Sequence, residues 1–157
     1  MDHSKQVSRL ALISLCLFGF YVLTRLVGLG KFVAVDEPAW LLFASNFFVA
    51  LSEGQFANTV YDYHPAVTTL WILTLAFLSY FPGYRLVGKL TEKYWQVDDL
   101  FRKYDKLPLR LLLHGRILSV LATGALWVVS FLLLNLMVGL GAALLVAGML
   151  ALDPFIL

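Results

Sequence analysis

The sequence predicts an all-α, multi-pass transmembrane protein with an interfacial helix in its first outer loop. Three observations carry this. Hydrophobic residues make up 61% of the 157 positions and charged residues only 14%, whereas a soluble domain is nearer half apolar and a quarter charged. Mean hydropathy is +0.82. Aromatics reach 15%, which suits rings placed at membrane–water interfaces. Together they exclude a water-soluble globule, a disordered tail and a disulfide scaffold. The net charge of +2, with no basic run interleaved with aromatics, argues against a nucleic-acid partner. Membrane lipids are the expected surroundings. Cys16 stands alone and forms no internal disulfide.

The first span is expected over residues 10–29. Arg25 lies about one turn from its end and is expected to snorkel to the interface. The apolar run is long for a signal peptide and no clear cleavage site follows, so a retained anchor is expected. Residues 31–63 form a polar, aromatic loop. Its apolar middle, 39–51, is too short to span and begins after Asp36, a good N-cap type. It reads as a helix lying on the membrane surface.

Residues 65–81 are the second expected span, starting at a proline and ending at Pro82-Gly83. Residues 84–116 form a basic loop with one amphipathic helix over about 90–104, broken by Pro108. Residues 117–152 carry no formal charge. As one helix they would run about 54 Å, too long for a single crossing. A helical hairpin over 117–136 and 139–157 is expected, bent near Asn135, Gly139 and Gly141. The glycines of 139–148 suit helix packing.

Lys5 and Arg9 precede the first span, the 84–116 loop is basic, and Lys31 is the sole Lys or Arg in the 31–63 loop. The positive-inside rule then puts the N-terminus and the basic loop in the cytoplasm and 31–63 outside.

Candidate chemistry clusters in the outer loop. Asp36-Glu37 can take a proton from a hydroxyl, bind a cation or serve a helix start. Tyr61-Asp62-Tyr63-His64-Pro65 follows at the mouth of the second span. His64 can ligate a metal, carry a proton or donate to a phosphate, or it caps a helix within an aromatic belt. Arg116 opens the third span as a phosphate partner or a topology anchor. Asp153 is an acid in an apolar helix, or an interfacial residue before Pro154. No phosphate-binding Gly-rich loop, CxxC, HExxH or GxSxG is present. An acid pair and a histidine on one face make a polar pocket at headgroup level, suited to a substrate with a lipid tail and a charged head.

The pattern TRLVGLG, DEPAW, YDYHPAVTTLWI, GRILSV and GLGAALLVAGMLALDPF resembles the N-terminal part of a GT-C superfamily membrane glycosyltransferase. Its nearest relatives would be the protein O-mannosyltransferases and the lipid A aminoarabinose transferases. The resemblance implies transfer of a sugar from a polyprenyl-phosphate carrier to a protein, lipid or glycan acceptor at the outer face. Asp36 matches the family's catalytic acid and Glu37 its companion. His64-Pro65 matches a His-Pro-Pro motif near the carrier phosphate or a metal, with Ala66 in place of the second proline. Arg116 matches an arginine opening the third span. A divalent metal fits this set, as does none. The family's second acid would follow the DPF position, so the sequence is expected to be the front of a longer enzyme. The alternatives are an inactive fragment and a non-enzymatic membrane scaffold or transport subunit.

Overall fold

In the computed structural model, which describes residues 3–31, 34–59 and 67–152, every regular element is helical. Helix α1 (His3–Leu26) is closed by a turn in which Gly28 adopts φ 91°, the left-handed conformation that glycine takes without a Cβ penalty. Helix α2 (Glu37–Ser52) carries Pro38 in its first turn, where no intrahelical partner awaits an N–H. A single 3₁₀ turn (Phe56–Thr59) follows. Next come α3 (Val67–Tyr80), the one-turn α4 (Tyr84–Val87) and α5 (Tyr94–Lys103). Asp105, at φ 53°, ends the α5 region. Helix α6 (Pro108–Val138) and α7 (Leu140–Leu152) are separated by Gly139 alone. Pro108 therefore starts a helix instead of breaking one, and α6 begins nine residues before the expected span.

The chain divides into two compact units. One is Leu29–Ser119. Its core is aromatic and centres on Phe77, which is fully buried. Phe48 stacks on Phe77 at 5.2 Å, Tyr84 tilts against it at 4.8 Å, and Phe101 meets it edge-on at 6.0 Å. Offset and edge-to-face geometries of this kind add to simple area burial. Helix α2 runs through the middle. Residues 44–50 are buried without interruption, so every side of the helix is covered by protein. A helix lying on a membrane surface would keep a polar face open. The surface placement of 39–51 is thus corrected: this short apolar run is a buried core helix, the other outcome that its length allows. Asn46 ties it to the loop before α5, donating to the Thr91 carbonyl at 2.7 Å and accepting from the Thr91 N–H at 3.0 Å.

Helix α3 buries Leu70, Leu73, Thr74, Ala76 and Phe77. Its opposite side leaves Val67, Trp71, Leu75 and Leu78 exposed, an apolar stripe at helical spacing. Its 14 residues span about 21 Å, short of a ~30 Å hydrocarbon core. It packs on the first turns of α6. The Tyr80 hydroxyl accepts from the Leu107 N–H at 3.0 Å, Tyr80 stacks on His114 at 5.1 Å, and Gly115 lets Leu73 approach.

The other unit is Met1–Gly28 with Val120–Leu157. Tyr21 stacks on Trp127 at 5.3 Å and donates to Thr123 Oγ1 at 3.2 Å. Gly124 opens the space that Phe18 and Tyr21 fill. Arg25 donates to the Ala151 carbonyl at 2.7 Å and lies over the Tyr21 ring. A continuous helix from Trp127 to Ala151 would run about 36 Å, yet Tyr21 and Arg25, one turn apart, touch both. The chain therefore reverses at Gly139, which adopts φ 83°; residues 153–157 of the expected second arm lie outside the described residues. Two expectations change here. Arg25 is 9% exposed and turns inward onto the end of α7 instead of snorkelling outward. The packing face of α7 is Ala143, Ala147 and Ala151, all buried, while a Cβ at Gly139, Gly141 or Gly148 would meet nothing. Small residues set the helix approach, but they are the alanines.

Among the described residues, two helices are long and apolar enough to cross a membrane, Gln6–Leu26 and Pro108–Val138.

Candidate functional site

The turn between α1 and α2 is built by Glu37. Its N–H donates to the Ala34 carbonyl at 3.2 Å, and its Oε2 accepts from the Ala34 N–H at 2.8 Å. These reciprocal bonds fix the entry to α2, where the first backbone N–H groups also favour negative charge. Asp36 takes the N-cap position but makes no side-chain capping bond. Its carboxylate is left exposed at the start of the helix.

Arg116, in the third turn of α6, reaches this turn from 79 residues away. Its Nε donates to Glu37 Oε1 at 2.8 Å and its Nη2 to Glu37 Oε2 at 2.5 Å. Its Nη1 donates to the Leu29 carbonyl. The bidentate fork is the strong form of an arginine–carboxylate pair, and each side chain is 19% exposed. One guanidinium thus holds both the end of the α1–α2 turn and the carboxylate that shapes it.

The two adjacent acids are therefore unlike. Glu37 is committed to Arg116 and to Ala34. Asp36 is exposed and makes no capping bond, which leaves its carboxylate available to an incoming group. Arg116 is held by the Glu37 carboxylate and the Leu29 carbonyl.

The fork joins Glu37, in the loop expected outside, to Arg116, in the loop expected in the cytoplasm, at 2.5 Å. The Asn46–Thr91 bonds join the same two stretches a second time. Both pairs lie within the folded unit Leu29–Ser119.

His64, Pro65 and the rest of 60–66 lie outside the described residues, as does Asp153. Among the described residues no three His, Cys, Asp or Glu side chains gather.

Sequence reasoning passed over a second polar place in the same unit. A cleft of about 830 Å³ opens between α2, α4 and α5, lined by Asn46, Tyr84, Lys89, Thr91, Lys93 and Lys103 among others. None of Asp36, Glu37 or Arg116 lines it. Burial pushes the Tyr84 phenol above its ordinary value of 10.0, and a hydrogen bond to Ser45 partly offsets this. In the sequence these lysines read only as loop charge.

No family model, no curated protein and no solved structure matches the chain.

Proposed function

We propose that this chain carries the acceptor-activating part of a membrane glycosyltransferase that uses a polyprenyl-phosphate sugar donor. The observation that carries the reading is the exposed Asp36 carboxylate, uncommitted to capping, beside a Glu37–Arg116 fork that fixes its turn. The resemblance of DEPAW, YDYHPAV and GRILSV to GT-C enzymes supplies the reaction class.

In this reading Asp36 accepts the proton of an acceptor hydroxyl as that oxygen bonds to the anomeric carbon. The bond from that carbon to the phosphate oxygen breaks, and polyprenyl phosphate leaves with the electron pair. His64 is the residue assigned to the developing phosphate charge. Glu37 and Arg116 act through Asp36 as positioning residues. A protein, lipid or glycan hydroxyl serves as acceptor.

The membrane arrangement proposed with it differs from the one lysine counting gives. Helix α1 and residues 120–138 of α6 cross; the latter, 19 uncharged residues, reach about 28 Å. Helix α7 returns from Gly139. Leu29–Ser119 stays on one extracytoplasmic face, with Lys5 and Arg9 inside. Helix α3, with its uncovered apolar stripe, takes the interfacial position.

The test is sugar transfer by membranes carrying the intact protein, wild type against Asp36→Asn. Transfer is expected to fall by about a hundredfold or more with membrane insertion unchanged. Wild-type turnover by Asp36→Asn would remove Asp36 as the base and favour the non-enzymatic scaffold.

A further inference from the structure

We infer that the lysine-lined cleft between α2, α4 and α5 binds the phosphate headgroup of an anionic phospholipid. The floor is rigid and polar. Asn46 is 4% exposed and Tyr84 1%, and the two Asn46–Thr91 hydrogen bonds hold the loop that forms one wall. The charges at its rim are Lys89, Lys93 and Lys103 against Glu92, a surplus of positive charge. A phosphodiester or phosphomonoester matches that surplus; a neutral zwitterion does so poorly.

The surroundings select a lipid as the source. Within ten residues the segment exposes Leu86 (80%), Leu90 (41%), Tyr94 (51%) and Trp95 (49%). Lysines alternate with them, and Lys93 Nζ lies 5.2 Å from the centre of the Trp95 ring. A soluble phosphate ligand needs no such apolar rim. A headgroup with acyl chains does, because Trp, Tyr and Leu enter the interface while lysines reach the phosphates. The site shares no residue with the Asp36–Glu37–Arg116 turn. It rests on the membrane part of the reading above and not on its chemistry.

The experiment uses the purified full chain in a neutral detergent. Dioctanoyl-phosphatidylglycerol, dioctanoyl-phosphatidylcholine and inorganic phosphate are titrated separately, and bound molecules are counted by native mass spectrometry. The expected result is saturable phosphatidylglycerol binding, weakened at least about tenfold in Lys89→Gln/Lys93→Gln/Lys103→Gln and unchanged in Lys31→Gln. Circular dichroism checks the fold of the triple variant, and Lys103→Glu alone serves if that variant is unfolded. Equal binding of phosphatidylcholine, or wild-type affinity in the lysine variants, overturns the site. Inorganic phosphate binding as tightly as phosphatidylglycerol overturns the lipid assignment in favour of a soluble phosphate. Carbonate extraction of native membranes is run beside it. Release of the chain would refute the membrane reading independently of the titration.

Discussion

Arg116 is the residue on which the α1–α2 turn depends. Removing either partner of its fork leaves a half-buried charge without its bidentate counter-charge. Arg116→Ala is expected to cost about 1–3 kcal/mol, read as a lowered Tm in detergent. Glu37→Gln should cost less when added to Arg116→Ala than alone, so a double-mutant cycle returns a clear coupling. Additive losses would mean that the pair does not act as a unit. Asp98 supplies a pH-dependent case. Burial raises its carboxyl above 3.8, with Arg102 opposing the rise and Asp99 adding to it. A raised carboxyl means that the folded state holds its proton more tightly than the unfolded chain. Its contribution is therefore present below the ordinary carboxylate range and lost as pH rises through the folded value. Asp98→Asn is expected to raise Tm at neutral pH relative to wild type and to close that gap near pH 3–4. A pH-independent difference would contradict the assignment. At this scale the sequence was partly legible. Asp36, Glu37 and Arg116 were marked by residue type and by resemblance. The fork itself was not, because a contact across 79 positions leaves no spacing signal. The same holds for Asn46 and Thr91, ordinary polar residues until the fold brings them together.

Among the helices, glycine positions separate packing from backbone demands. At Gly88 a Cβ would stand 2.8 Å from the Tyr84 carbonyl and 2.5 Å from its ring. Tyr84 is buried in the aromatic core and has nowhere to go. Gly88→Ala is expected to destabilise by about 1–3 kcal/mol. At Gly139 nothing crowds a Cβ, but φ is 83°. Gly139→Ala should therefore cost only about 1 kcal/mol, through backbone strain alone. Thermal melts of the two variants check both, and equal losses would argue against the distinction. Helices α1, α3, α6 and α7 each overlap an apolar run visible in the sequence. Helix ends were less legible. Pro108 reads equally as a stop or a start, and the choice depends on Leu111 and Leu112 joining a core formed by distant helices. The role of 39–51 was missed for a related reason. A short apolar run has the same pattern whether lipid or protein covers it.

For the whole molecule, the decisive feature is that Leu29–Ser119 folds as one unit. Charge counting treats its two halves as separate loops and sends them to opposite faces. The proposed arrangement keeps them on one face, since α2 is enclosed by α3, α4 and α5. Hydropathy alone made the long apolar helices legible, but a compact unit between them is defined by aromatic contacts that no local window contains. In the proposed arrangement Asp36, Glu37, Arg116 and the lysine cleft share one face. Cysteine accessibility tests this directly. In a Cys16→Ala background, Glu53→Cys, Asp99→Cys and Ser4→Cys are labelled in intact cells with a membrane-impermeant maleimide, before and after permeabilisation. The account predicts that Glu53→Cys and Asp99→Cys label equally from outside, and that Ser4→Cys labels only after permeabilisation. Protection of Asp99→Cys alongside Ser4→Cys, with Glu53→Cys labelled, would place the two halves on opposite faces and contradict the shared face.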